Sequence, residues 1–217
     1  TELTTLGAEV LKVDEPFNFS RICNIGARQS QHTAQSDLLL FLNNDVELDG
    51  GALAEMARWI HQERIGIVGA RLHFPNRTIQ HAGVELVTSG SHLGGMLWRH
   101  IDYKMIFSRS RRARQAGVCD AITGACLMIR RGVFEAVDGF DETWYPVALS
   151  DTDLAVRVKK LGLHCFYTPF AFGTHYENAT RKVGTWEDFE FSPWLYQNAR
   201  MRESTADDLI HPLLGRL

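Results

Sequence analysis

The sequence lacks several features that would place it in a specialised class of protein. Its four cysteines include no C-x-x-C pair among its 217 residues, which argues against a zinc knuckle or a small disulfide scaffold. No apolar run approaches the roughly 18 to 20 residues that cross a bilayer, and no secretory leader is recognisable. A net charge of −3 gives no general reason to expect nucleic-acid binding. We therefore expect reduced, mostly buried thiols in a cytoplasmic protein.

Apolar residues make up 45% of the chain, enough for one globular domain with a substantial core. Helix-period and strand-type patterns alternate, which is typical of an α/β domain with a largely parallel sheet. The patterns predict strands at 9–13, 38–42, 65–70, 121–129 and 163–167, the last one stopped by Pro169. They predict helices from Ser20, Asp49, Gly132 and Ser150, with Gly162 ending the last helix.

The most informative stretch is the apolar run at 38–42, which is followed by Asn43, Asn44 and Asp45. Five large apolar residues in a row predict a strand buried on both faces. Ligands of open α/β sheets bind beyond the carboxyl ends of such strands, and hard cations prefer carboxylate and amide oxygens. The alternative is a simple turn, since Asn and Asp favour turns. Taken alone, the run favours the turn over a cation site.

Two acids begin the predicted helix at Ser150, and a histidine follows the last predicted strand. Ser150 and Asp153 have the spacing of a capping box, and acids suit the first turn of a helix. For Asp153 this structural role is the favoured interpretation. We expect Asp151 to face the mouth of the sheet and His175 to lie near the same crevice.

Residues 79–118 break the alternation with Gly83, Gly90, Gly94 and Gly95, three histidines and a basic cluster of Arg109, Arg111, Arg112 and Arg114. Long stretches with little regular structure are usually functional or mobile. A solvated face is the favoured interpretation of the arginines. Binding of a phosphate-bearing acceptor is the alternative, because arginine pairs readily with phosphate.

Seven short motifs occur in an order that resembles one family. They are Phe17–Ser20 with Asn24 and Gly26-Ala27; Leu40–Asp45; Gln80–Gly83; Thr123–Cys126; Gly139–Glu142; Asp151–Leu154; and His175–Asn178. The order, from about Phe17 to Arg181, resembles the GT-A glycosyltransferases of family 2, which are inverting nucleotide-sugar transferases. It is most similar to the bacterial rhamnosyltransferase-like branch that builds surface polysaccharides.

The resemblance implies a role for each matched residue. Asp45 takes the last position of the metal-binding D-x-D motif, whose first position is Asn43 here, and His175 completes the site for Mg²⁺ or Mn²⁺. Asp151 takes the position of the catalytic base. Donor-binding positions are Asn24, Gly26, Asn43, Asn44 and Gly124, while His81 and Asp153 contact the acceptor or support the site. The implied partners are a nucleotide-diphosphate sugar and a saccharide or lipid-linked acceptor, with at most peripheral association at the inner face of the membrane.

The resemblance also indicates what residues 1–16 do not supply. Members of the family begin with a Val- and Ile-rich strand and an early aspartate that hold the base and ribose. We therefore expect a GT-A-like domain at 1–185 that lacks its first strands, followed by a helical extension at 186–217. An exposed sheet edge should favour a homodimer, and nucleotide binding should be weak.

Two other functions fit parts of the pattern. The first is a non-catalytic GT-A-like domain that binds a glycan or a protein partner. The second is a nucleotidyltransferase, which also carries acids at strand ends but usually has a glycine-rich, basic phosphate loop near its N-terminus. No such loop occurs here.

Overall fold

The computed structural model describes residues 9–33, 37–88 and 96–176. The helices are α1 (Phe19–Thr33), α2 (Ala52–Ile60), α3 (Arg131–Ala136) and α4 (Ser150–Lys160). The strands are β1 (Leu38–Leu42), β2 (Val46–Leu48), β3 (Ile65–His73), β4 (Ile79–His81), β5 (Val84–Thr88), β6 (Met96–His100), β7 (Gly117–Cys119), β8 (Cys126–Arg130) and β9 (His164–His175).

Seven of these strands form one sheet, in the order β1-β8-β3-β9-β2, with β4 beside β3 and β7 beside β9. Strands β5 and β6 form a separate hairpin. The predicted α/β class with a mixed sheet is confirmed. Within the described residues, however, the pairing of β3 with β9 is the one parallel pair. Strand β8 lies antiparallel to both of its neighbours, β1 and β3, so antiparallel pairing predominates.

Helices cover both faces of this sheet. On one face, α2 buries Ala52, Met56 and Ile60 against the core that contains Cys126 and Met128 of β8. On the other face, α1, α3 and α4 pack on the core that contains Leu127 and Ile129. Alternate residues of β8 therefore enter opposite cores, as the two-residue period of a strand requires. β8 is buried on both faces, and its apolar run reflects this.

Two predicted strands differ from the observed ones. Residues 9–13 form no strand, and Val10 is 51% exposed. Pro169 does not stop the last strand, because β9 continues through a register shift: Ala70 pairs with Thr168, whereas Arg71 pairs with Phe172. A bulge of this kind accommodates a residue that cannot donate a ladder hydrogen bond. It extends β9 as far as His175.

Three predicted helix caps are also corrected. Asn18, not Ser20, caps α1, since its Oδ1 accepts a hydrogen bond from the Arg21 amide (2.9 Å). Asp49 does not cap α2: the residue before this helix is Gly51, no side chain caps the helix, and Asp49 Oδ1 accepts a hydrogen bond from the Gly51 amide instead (3.1 Å). No capping box forms at Ser150, because the residue before α4, Leu149, is left-handed with φ 62°. The predicted end of α4 is confirmed, with Gly162 at φ 77°.

The stretch from 79 to 118 is more regular than its sequence indicates. It contains β4, the β5–β6 hairpin, a short 3₁₀ helix at Phe107–Arg109 and β7. The predicted helical extension at 186–217 lies outside the described residues. No helix in the described part of the chain is long and apolar enough to cross a membrane.

Candidate active site

Asp45 and His175 come together across the end of the sheet. Asp45 ends the turn between β1 and β2, and His175 ends β9, where it pairs with Val46. His175 Nε2 lies 3.2 Å from Asp45 Oδ1. The Tyr176 amide donates to the Asp45 carbonyl (2.9 Å), and the Tyr176 hydroxyl donates to Glu47 (2.9 Å). These two hydrogen bonds from Tyr176 therefore hold the turn against the end of β9, next to His175.

The pair fits a divalent cation. Asp45 Oδ1 is a buried polar atom without a hydrogen-bond partner, and His175 Nε2 is the ring nitrogen that approaches it, at 3.2 Å. Unsatisfied buried polar atoms are rare and require an explanation, such as an ion. No group of three or more His, Cys, Asp or Glu residues suited to an ion occurs in the described ranges. Asp45 and His175 would hold such an ion together with oxygens from a ligand or water.

Backbone contacts connect this turn to Asp151. The Asn43 amide donates to the Ala125 carbonyl (3.0 Å), and the Gly124 amide donates to Asp151 Oδ2 (2.8 Å). The end of β1, the approach to β8 and the first turn of α4 thus meet at one place. The Gly124–Ala125 backbone joins Asn43 to Asp151, and Asp45, which approaches His175, lies two residues after Asn43.

Asp151 is held but remains accessible. Its Oδ1 accepts from the Thr152 amide (2.8 Å), its Oδ2 accepts from Gly124, and the residue is partly exposed. Its position in the first turn of α4 favours a negative charge. A Cβ added at Gly124 would lie 3.3 Å from Phe19 Cζ, a tight contact, and 3.6 Å from Asp151 Cβ, an ordinary one, so Phe19 is the neighbour that favours glycine here. A fixed carboxylate with free lone pairs can accept a proton.

His81 lies inside the protein and presents no surface to a substrate. It is fully buried. Its Nδ1 lies 3.2 Å from His100 Nδ1, and its Nε2 accepts from the Gly83 amide (3.3 Å). Burial lowers the pKa of His81 well below its usual value, and the charges of His100 and His175 lower this pKa further. A neutral His81 beside His175 suits a supporting role rather than contact with an acceptor.

Asp153 is likewise buried, and its partner is a residue of the same helix. Arg157 Nε donates to Asp153 Oδ2 (2.8 Å), and Arg157 Nη1 donates to the carbonyls of Gly139 (2.6 Å) and Val137. With 3% of its side chain exposed, Asp153 has no access to an acceptor. It orients Arg157, which holds the turn between α3 and α4.

Asn24 secures the same turn from α1. Its Nδ2 donates to the Phe140 carbonyl and to Glu142 Oε1, both at 2.8 Å, and its Oδ1 accepts from the Phe140 amide (2.9 Å). Both N–H groups of the amide are therefore in use. Asn24 therefore positions the turn, and neither of its N–H groups is available for the contact with a donor nucleotide that the sequence had predicted.

Gly26 and Asn44 are exposed. No atom lies within 4 Å of a Cβ added at Gly26, so the glycine is not required by packing within the described residues. Donor binding by these two residues stays a prediction.

Sequence reasoning overlooked Arg157 and Glu142. Arg157 appears in the sequence as one of three basic residues in the last turn of α4. Glu142 accepts from Arg21 (3.1 Å) as well as from Asn24. The only signal for Glu142 was its place in the Gly-Phe-Asp-Glu motif, and its contacts are with α1, more than 110 residues away in the chain.

Comparison with known proteins places this geometry in a family. The profile described as Glycosyltransferase like family 2 matches residues 18–206. An uncharacterized protein, y4gI, of Sinorhizobium fredii is 35% identical over 79% of this chain and 18% of its own length. The O-antigen biosynthesis protein RfbC of Myxococcus xanthus is 35% identical over 84% of this chain and 14% of its own. The chain thus spans less than a fifth of the length of these two relatives.

Two further comparisons concern a more distant relative in sequence and a solved structure with a similar fold. An N-acetylglucosaminyl-diphospho-decaprenol L-rhamnosyltransferase of Mycobacterium tuberculosis is 26% identical over 65% of this chain and 47% of its own. The crystal structure of GalNAc-T7 with UDP, GalNAc and Mn²⁺ has a TM-score of 0.63 at 16% identity, covering 89% of this chain and 36% of that one. The fold is therefore that of the GT-A glycosyltransferases. With its profile match, its motif order and this fold, the chain belongs to the family 2 glycosyltransferases.

Proposed function

We propose that this chain is the catalytic domain of a metal-dependent, inverting glycosyltransferase. It would move a sugar from a nucleotide-diphosphate donor to a saccharide or lipid-linked acceptor during synthesis of a cell-surface polysaccharide. The observation that carries the proposal is the close approach of Asp45 to His175, in a turn that backbone contacts link to Asp151. Asp45 lies 3.2 Å from His175, and the backbone at Ala125 and Gly124 connects the Asp45 turn to Asp151.

Asp45 and His175 would hold a divalent cation. When bound, such an ion neutralises charge on the diphosphate leaving group as the sugar–phosphate bond breaks. GalNAc-T7 has a related fold and was solved with UDP and Mn²⁺, which supports the choice of cation. The unsatisfied buried Oδ1 of Asp45 supports it independently.

Asp151 would act as the base. Its carboxylate takes the proton from an acceptor hydroxyl as that oxygen attacks the anomeric carbon from the face opposite the leaving group. The configuration at the anomeric carbon then inverts. The hydrogen bonds from Gly124 and Thr152 fix the carboxylate before the acceptor arrives, and such prior positioning lowers the barrier.

The relatives suggest the class of substrates. One relative is named for O-antigen biosynthesis, and another for rhamnosyl transfer to a diphospho-decaprenol acceptor. The first name supports a role in polysaccharide synthesis, and the second supports a lipid-diphosphate saccharide as the acceptor. This chain covers only part of each relative, so its donor and acceptor belong to the proposal.

Nucleoside diphosphate release tests the proposal. The chain is incubated with Mn²⁺, a panel of UDP-, GDP- and dTDP-sugars and a lipid-diphosphate saccharide. We expect release with one donor, and we expect Asp151→Asn to reduce it by about 10²-fold or more, because general-base catalysis contributes on that scale. The matched control is Asp141→Asn, another aspartate in the turn before α4. Absence of release with every donor would instead support a non-catalytic glycan-binding domain.

A further inference from the structure

Residues 101–116 form a basic loop that is unlike the rest of the molecule. The loop contains five basic residues and one acid, Asp102, whereas the chain as a whole has a net charge of −3. It also exposes large apolar side chains next to one another: Tyr103 is 42% exposed, Met105 41% and Ile106 48%. Adjacent exposed apolar residues of this kind indicate an interaction surface.

The loop is built to present these side chains. The Lys104 amide donates to the Ile79 carbonyl (2.7 Å), and the Ile79 amide donates to the Met105 carbonyl (2.8 Å). Asp102 and Lys104 both have positive φ, 51° and 63°, which is uncommon for residues other than glycine. These hydrogen bonds to β4 therefore fix the backbone shape of the loop. In this shape Tyr103, Met105 and Ile106 are exposed, and these three residues form the apolar tip of the loop.

The acids around the loop leave most of its basic residues unpaired. Asp102 accepts a hydrogen bond from Ser110, and Glu85 pairs with Arg112 (2.6 Å) and Arg99 (2.7 Å). The remaining basic residues of the loop are exposed and have no ion-pair partner among residues 9–33, 37–88 and 96–176; they are Lys104, Arg109, Arg111 and Arg114.

Two more acids share a cavity with the loop. Glu47 and Asp49 line a cavity of about 500 Å³ together with Ile106 and Arg77. Glu47 accepts from Tyr176, and Asp49 accepts from Gly51. The four unpaired basic side chains outnumber these two carboxylates, so the surface carries a net positive charge.

We propose that the basic loop docks the domain on an anionic membrane surface. Met105, Ile106 and Tyr103 would enter the headgroup region, while Lys104, Arg109, Arg111 and Arg114 would lie against lipid phosphates. Basic residues next to a membrane attract anionic lipids, and exposed apolar side chains add a contribution that salt does not screen. Such docking goes beyond the proposed sugar transfer, and it would hold even if this domain transferred no sugar.

Co-sedimentation with vesicles tests the proposal without any substrate. The 217-residue chain is mixed with vesicles of phosphatidylcholine alone or of phosphatidylcholine with phosphatidylglycerol. We expect pelleting with the anionic vesicles that weakens with added salt, and little with the neutral ones. Arg109→Gln with Arg111→Gln should lower the partition coefficient about 25-fold, since each basic residue near the surface contributes about fivefold. The charge-matched control, Arg64→Gln with Lys160→Gln, should leave the coefficient within about twofold, because these exposed residues lie in other elements.

A second pair of variants tests the apolar tip. Met105→Ser with Ile106→Ser should lower binding severalfold. The control is Leu53→Ser with Leu161→Ser, which alters two exposed apolar residues outside the loop and should leave binding unchanged. Circular dichroism and thermal melts verify that every variant is folded. The proposal is overturned if the wild-type chain does not pellet with anionic vesicles. It is also overturned if the double arginine variant pellets like its control, which would assign the binding to another surface. It is likewise overturned if the Met105 and Ile106 variant pellets like its control, which would assign the binding to charge alone.

Discussion

The buried ion pair between Asp153 and Arg157 gives a quantitative test of the roles assigned to the two acids of α4. Asp153 and Arg157 have 3% and 14% of their side chains exposed. Arg157 also donates to the carbonyls of Gly139 and Val137. Asp153→Asn removes the charge but keeps the volume, and Arg157 is left as an incompletely paired cation in a poorly solvated place.

Breaking a buried pair by removing one partner costs about 3–5 kcal/mol. Because Arg157 keeps its carbonyl partners and some exposure to water, we expect about 2–4 kcal/mol for Asp153→Asn. For a domain of this size 1 kcal/mol corresponds to about 2–4 °C, so Tm should fall by roughly 4–16 °C. Arg157→Met should cost a similar amount, since it leaves the Asp153 carboxylate buried without its partner.

The matched control is Arg28→Met. Arg28 also pairs with an acid, Glu142, but at 3.8 Å and with 62% of its side chain exposed. Exposed pairs of this kind contribute roughly 0–1 kcal/mol. Urea unfolding at constant pH measures all three variants. If Asp153→Asn unfolds at the same urea concentration as the wild type, the carboxylate does not stabilise α4, and a role for Asp153 at the substrate has to be reconsidered.

Two further predictions concern other parts of the site and fold. Asn24→Ala removes the partner of the buried Phe140 amide and should cost about 2–3 kcal/mol, whereas Asn44→Ala, at an exposed position, should cost little; equal thermal shifts would argue against the role of Asn24 at the turn. Burial, followed by the charge of Arg71, lowers the pKa of His73 from 6.5 to about 4, so the unfolded state binds the proton first and stability should fall as the pH drops from 6.5 towards 4. His73→Asn should flatten this dependence in urea titrations at several pH values, and an unchanged slope would exclude His73 as its source.

Local patterns predicted much of the fold because they report burial directly. The five apolar residues of β1 predict the strand but not its burial on both faces: Leu39 and Phe41 are buried, whereas Leu42 is 43% exposed, because β1 ends the strand order of the described sheet. The spacing of Leu154 and Val158 predicts the buried face of α4. In α2 the apolar spacing of Leu53, Met56 and Ile60 predicts that Leu53 is buried, yet it is 50% exposed. Ala52 is buried instead, because α2 turns Ala52, Met56 and Ile60 toward the sheet. A small alanine gives a weaker apolar signal than leucine, so the pattern alone favoured the wrong residue.

Contacts between distant residues could not be predicted from local patterns. Pro169 looks like a strand breaker, and only the pairing of β9 with β3 shows that a bulge absorbs it. Asn24 looks like a ligand-binding amide at a helix edge, yet its hydrogen bonds go to Phe140 and Glu142. The Asp45–His175 approach was expected from two things that go beyond local pattern, the position of each residue after a predicted strand and the family-like order of the motifs, since 130 residues separate the two in the chain.

Paramagnetic broadening by Mn²⁺ tests most directly whether Asp45 and His175 hold a divalent cation together. Imidazole signals of the nitrogen-labelled chain are recorded as Mn²⁺ is added in the presence of pyrophosphate, which stands in for the donor diphosphate. Broadening falls steeply with distance, so His175 should broaden first and the neighbouring His81 next, with His61 and His164 little affected. In Asp45→Asn the broadening of His175 should need much more Mn²⁺. A His175 signal that stays sharp, or that broadens equally in Asp45→Asn, would contradict a shared cation site.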